Sequence, residues 1–201
     1  MAAMHLAGLV GLQLPVSKAY FQLLVPFNLV ISAGLLLLFH SHWNRPFLSF
    51  CALAFLVGYG VEVAGVSSGL IFGHYRYGKA LGPHLLSVPP LIGLNWLALV
   101  YCTGVMSATL PATRWARATA GAFLMVVLDF FIEPVASPLD FWHWQNNRIP
   151  LQNYLAWFVV AWVLLAGFHA LPFRKTNRLA PFLYTAQLLF FVLNQLAGFL
   201  K

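Results

Sequence analysis

The chain has 201 residues, of which 61% are hydrophobic and only 7% charged, with a net charge of +7. A soluble domain carries about 25% charged residues, and a chain this short cannot bury so much apolar surface in one water-facing globule. Composition therefore excludes a soluble enzyme, a disordered tail and a nucleic-acid binder, and leaves an integral membrane protein.

About 20 apolar residues cross a bilayer as a helix. The apolar runs predict spans near 20–40, 47–66, 89–110, 116–134, 151–171 and 180–200. Ahead of them, Leu6–Leu14 is too short to span and lacks the basic stretch of a cleaved leader, so residues 1–19 read as an interfacial helix or a partial span broken near Pro15. The runs lack the period-2 alternation of a membrane β-barrel. The expected fold is an all-α polytopic transmembrane helix bundle of about six to seven spans, forming a single integral membrane domain over residues 1–201, with two long aromatic-rich loops on one side. Cys51 and Cys102 fall inside apolar runs and read as small buried hydrophobes. His40 and His42 flank a span end; two histidines without a third ligand read as interfacial polar residues, and no metal site is expected.

The two long connections are 67–88 and 135–150. The first carries His74, Tyr75, Arg76 and Tyr77 among recurring glycines, and the second carries Asp140, Trp142 and Trp144. An aromatic belt at the membrane interface accounts for such residues, yet loops of this length point to function.

The chain has four carboxylates, Glu62, Asp129, Glu133 and Asp140. Spans two and four run in the same direction, so Glu62, Asp129 and Glu133, all in their last turns, gather at one membrane face with both long loops. Asp129 and Glu133 are four residues apart and share a helix face; Pro134 follows and is expected to end the helix. Two carboxylates this close in a poorly hydrated setting resist double ionisation, which predicts a carboxylic acid that holds a proton and donates it. A purely structural alternative pairs these acids with Arg76, Lys79 or Arg148 to hold the loops, and Asp140 with Arg148. The connections opposite the acids hold Arg45, Arg114, Arg117, Arg174, Lys175 and Arg178. The positive-inside rule then places the acid cluster on the non-cytoplasmic side.

No spaced acid-rich magnesium motif, phosphate loop or span-buried lysine is present. Protonation of an alkene in a lipid-soluble molecule fits an acid set among aromatic rings. A carboxylic acid protonates a trisubstituted double bond, aromatic faces stabilise the tertiary cation, and either water adds or a neighbouring alkene closes a ring.

Two blocks carry a family resemblance. The first is Glu62-Val63-Ala64-Gly65-Val66, Phe72-Gly73-His74-Tyr75-Arg76-Tyr77, Leu81-Gly82-Pro83, Val88-Pro89 and Asn95-Trp96. The second is Asp129-Phe130-Phe131-Ile132-Glu133-Pro134, Phe141-Trp142-His143-Trp144 and Ile149-Pro150-Leu151-Gln152-Asn153-Tyr154. Together they resemble the membrane carotenoid biosynthesis proteins of the carotenoid 1,2-hydratase type; the pattern often has Asp where this chain has Glu133. The resemblance implies cofactor-independent addition of water across the terminal 1,2 double bond of an acyclic (ψ) carotenoid end, giving a tertiary alcohol. Asp129 or Glu133 would donate the proton, and the other, or Glu62, would position the water. Phe72, His74, Tyr75, Arg76, Tyr77, Asn95, Trp96, Asp140, Trp142, Trp144 and Asn153 are the expected substrate-binding residues. The implied partners are a carotenoid, water, membrane lipid and other enzymes of carotenoid synthesis, and the implied location is the bacterial inner membrane. A cyclase using the same protonation, a carotenoid-binding protein and a proton-coupled carrier are the alternatives; a carrier would favour internal repeats, and none is seen.

Overall fold

The computed structural model describes residues 1–199. It contains seven helices, α1 (Ala2–Gln13), α2 (Pro15–Leu38), α3 (Arg45–Ser68), α4 (Leu91–Ala108), α5 (Arg114–Ala136), α6 (Leu151–Ala170) and α7 (Leu179–Phe199), and two three-residue strands, β1 (Tyr75–Tyr77) and β2 (Trp142–Trp144). Six of the helices, α2 to α7, are long and apolar enough to cross a membrane. The all-α bundle read from hydropathy is therefore the observed architecture.

Local chemistry sets the helix ends. Extended backbone at Leu14 separates α1 from α2, whose first residue is Pro15, a position where a proline's missing N–H costs nothing. The first span thus begins five residues earlier than hydropathy places it. Asn44 caps α3 by accepting from Phe47 N at 3.0 Å, and Thr113 caps α5 by accepting from Ala116 N at 3.3 Å. Gly69, at φ +66°, ends α3 in the left-handed region that glycine enters without strain. Pro134 does not end α5: the helix runs on to Ala136. The turn beyond the proline is kept by Leu139 N donating to Val135 O at 3.0 Å and Phe141 N to Ala136 O at 2.9 Å.

Helix α4 is the hub, with 13 of its 18 residues buried, and it packs on α2, α3, α5, α6 and α7. Its contact with α3 needs Gly58, because a Cβ there would overlap Trp96. At the end of the bundle opposite the acids, His40 is buried rather than interfacial. It stacks on Phe47 with centroids 3.6 Å apart and hydrogen-bonds Tyr101 Oη at 2.7 Å. Asn177 donates to the same hydroxyl at 3.2 Å and to Leu36 O at 2.8 Å, so these groups form a buried clasp.

The two long loops pair with each other. Strands β1 and β2 are antiparallel, with Tyr75 opposite Trp144, Arg76 opposite His143 and Tyr77 opposite Trp142. The Tyr-Arg-Tyr and Trp-His-Trp alternation sends alternate side chains to opposite faces of this ribbon. Tyr77 and Trp144 are buried, whereas His74 and Arg76 are exposed.

Candidate active site

Three carboxyl groups meet under the ribbon. Glu62 comes from the last turns of α3, and Asp129 and Glu133 come from one face of α5. All three are buried, at 3%, 0% and 4% exposure, so every hydrogen bond they make must come from the protein or a small enclosed volume.

Glu62 accepts three hydrogen bonds. Tyr75 and Tyr77 both donate to Oε2, Tyr77 at 2.8 Å, and Trp96 Nε1 donates to Oε1 at 3.0 Å. Glu133 has the same pattern: Trp142 and Trp144 donate to Oε2 at 3.1 and 2.5 Å, and Asn153 Nδ2 donates to Oε1 at 3.0 Å. The other hydrogen of Asn153 Nδ2 goes to Asp129 Oδ2 at 2.9 Å, so one amide ties the pair together. Asp129 Oδ1 is buried without a partner.

The ribbon is thus a donor platform as well as an aromatic wall. Its two tyrosines serve Glu62 and its two tryptophans serve Glu133. Burial first, and then the Glu62 carboxylate, push the phenols of Tyr75 and Tyr77 above their ordinary value, so both remain donors. Glycine at 65 lets Phe72 approach α3, since a Cβ there would press on its ring.

Between Glu62 and Glu133 lies a small, largely aromatic pocket of about 20 Å³, also lined by Asn95, Asn153, Trp96 and Trp157. A space of roughly 10–15 Å³ on this measure suffices for one water. Ile92, Asn95, Ile132 and Trp142 line this pocket and also line a larger apolar cavity of about 320 Å³. The two spaces therefore share a wall, and Asp129 borders neither.

The expected site residues divide accordingly. Phe72, Tyr75, Tyr77, Asn95, Trp96, Trp142, Trp144 and Asn153 come together around the small pocket with Glu62 and Glu133. His74 and Arg76 lie on the exposed face of the ribbon. Asp140 holds the loops instead: it accepts from Lys79 N at 2.9 Å and forms a salt bridge with His143 at 2.8 Å. That is the one salt bridge among the described residues, so the acids do not pair with Arg76, Lys79 or Arg148. Trp157 stacks on Trp96 with centroids 4.3 Å apart and was not anticipated; its signal was its place one turn beyond Asn153 on α6. The apolar cavity draws on α1, α2 and α7, which lie largely outside the two loop blocks.

Residues 21–199 match the family described as carotenoid biosynthesis protein. The chain belongs to the carotenoid biosynthesis protein family. This member is 30% identical over 152 residues to bisanhydrobacterioruberin hydratase of Haloarcula japonica, a match covering 70% of this chain and 52% of that protein. The chain thus spans about half the length of the curated relative it matches. No solved structure matches it. In this carotenoid biosynthesis protein, the family match takes in all four carboxylates and the whole ribbon.

Proposed function

We propose that the protein hydrates an acyclic carotenoid end by acid catalysis, adding water across the terminal 1,2 double bond to give a tertiary alcohol. The observation that carries this reading is the shared wall between an apolar cavity and a water-sized pocket lined by two carboxyl groups. The similarity to a protein named as a hydratase supports it.

Glu133 is the proton donor in this scheme, because it borders the pocket and Asp129 does not. Its proton passes to the less substituted alkene carbon as the π bond breaks, leaving a tertiary cation. The faces of Trp142, Trp144 and Trp96 stabilise that charge. Water held in the small pocket attacks the cation, and its proton passes to Glu62. The next water to enter the pocket after the alcohol leaves relays that proton from Glu62 back to Glu133, so the sum is one alkene and one water giving one alcohol. Asp129 stands behind Glu133, joined to it through Asn153. The protein sits in the bacterial inner membrane with the acids on the non-cytoplasmic side, a placement supported by the cations at the opposite helix ends.

Expression in a lycopene-accumulating bacterium, followed by pigment mass analysis, tests the reading. Pigment heavier by one water per reacted end supports it. Unchanged pigment alongside well-inserted protein overturns it, and a ring formed at unchanged mass identifies a cyclase.

A further inference from the structure

We propose that the apolar cavity between α1, α2, α4, α5 and α7 holds one end of an acyclic isoprenoid hydrocarbon, end-on, while the rest of the chain lies in the lipid beside α2. This rests on the hydration reading for what happens at the held end, but not for the binding itself.

The cavity, at about 320 Å³, falls within the range of ligand pockets, roughly 300–1,000 Å³. Its walls are mostly aliphatic and aromatic. Of its polar side chains, His5 is already bonded to Met1 O at 3.0 Å and Asn28 Oδ1 accepts from Ser32 at 3.4 Å. Gln187 also lines the cavity and has its Oε1 buried without a partner among the described residues. Asn95 stands at the wall shared with the acid pocket, where the reacting bond would lie.

Length determines how much of a chain can enter. The lining residues of α2 run from Phe21 to Ile31, about 15 Å of helix at 1.5 Å per residue. That is half the hydrocarbon thickness of a bilayer, about 30 Å. A longer chain must therefore leave the protein near mid-membrane. The exit is on the outer side of α2, where Leu24, Phe27 and Ile31 line the cavity and are also 51%, 63% and 46% exposed. Helix α1 closes the opposite side, fixed to α7 by Gln13 Nε2 donating to Asn194 Oδ1 at 2.8 Å and by His5 against Phe190.

The test uses the full chain in native membranes with two photoreactive acyclic polyene hydrocarbons, one carrying a diazirine at the near end and one at the far end. The near-end probe should label the peptides that line the cavity, those of α4 and α5 at the shared wall together with α1, α2 and α7, and the far-end probe should label lipid. Ala7→Trp and Leu29→Trp, which fill the cavity, should each lower near-end labelling at least tenfold. Val16→Trp, on a residue 89% exposed and away from the cavity, should leave it unchanged. Glu133→Gln should retain the labelling, so a labelled cavity in a chain that makes no alcohol would sink hydration and spare this proposal. Equal labelling of the cavity by both probes would overturn it. So would near-end labelling confined to α6, or stronger labelling by a hydroxylated chain of equal length. The label map on the unaltered chain needs no variant, so misfolding of one substitution leaves the test intact.

Discussion

Glu62 and Glu133 mirror each other across one water-sized pocket. In each, Oε2 takes two donors from a single strand of the ribbon and Oε1 takes one donor from a helix. A carboxylate offers about four acceptor sites, so each group retains one, on Oε1, for a proton or a water. Replacing Glu133 with Gln should therefore remove the acid and set an amide N–H against Asn153 Nδ2 or the tryptophan donors. Product formation should fall by a factor of about 10² or more, the usual contribution of a positioned acid or base, with the protein still inserted and folded. Asp129→Asn should cost less, because Asp129 does not border the pocket. Pigment mass analysis of both variants measures this, and full activity in the two of them would sink the acid assignment.

Asn153 spends both amide hydrogens on the acid pair. Asn153→Leu keeps much of the volume and strips a donor from each of two buried carboxyl groups. Leaving a buried acceptor unsatisfied costs roughly 1–3 kcal/mol. The variant should unfold at a lower temperature in detergent and should lose at least tenfold in product formation. A variant as stable and as active as the parent would show that the bridge does not position the pair.

Much of the fold was legible because hydrophobic run length answers directly to bilayer thickness. The gathering of Glu62, Asp129 and Glu133 followed from span parity alone. Proximity of the two loops was legible too, but their pairing as strands was not: each is three residues long, too short for a periodic signal to stand out. Trp142 and Trp144 read as pocket-lining residues, with an interfacial belt as the alternative, but their donation to Glu133 was not legible because sequence does not show where an indole N–H points. Pro134 misled for a related reason. A proline two residues from a helix end forfeits one hydrogen bond, and the following turn compensates. The apolar cavity was invisible because α1, α2 and α7 contribute ordinary leucines, valines and phenylalanines, whose meeting depends on tertiary packing.

The two ribbon tyrosines predict a sensitivity to alkali. Burial and the neighbouring Glu62 raise both phenols above their ordinary value, which is about 10. In the unfolded chain these phenols ionise above about pH 10, whereas in the folded chain they keep their protons. The folded state then binds more protons, so stability is intact below that pH and falls as pH rises past it. Melting temperatures of the parent measured from about pH 8 to pH 11 should drop more steeply than those of a Tyr75→Phe, Tyr77→Phe double variant. The double variant should already be less stable at neutral pH, having lost two donors to Glu62. Parallel curves for the two proteins would contradict the placement of these hydroxyls.

Asp140 predicts the opposite sensitivity, at the acid end of the scale and outside the spans. Its carboxyl is lowered below its ordinary value, first by the hydrogen bond from His143 and also by the Lys79 amide. Ser137 holds the other nitrogen of His143 at 2.9 Å, and Asp140 O accepts from Ala80 N at 3.2 Å, so one residue ties both long loops together. A depressed carboxyl stabilises the fold above the ordinary aspartate value of about 3.9, and this contribution disappears as pH falls through the folded value. The loops should therefore resist pepsin near pH 5 and open to it as the pH drops towards about 2, well below the ordinary aspartate value. Asp140 sits at φ +59°, a conformation that asparagine tolerates and most residues do not. Asp140→Asn thus keeps the backbone and removes the charge, and its loops should be cleaved faster than the parent's near pH 5, with the difference closing as the pH falls towards about 2. If pepsin cuts the parent and the variant alike at pH 5, Asp140 is not the tie between the loops.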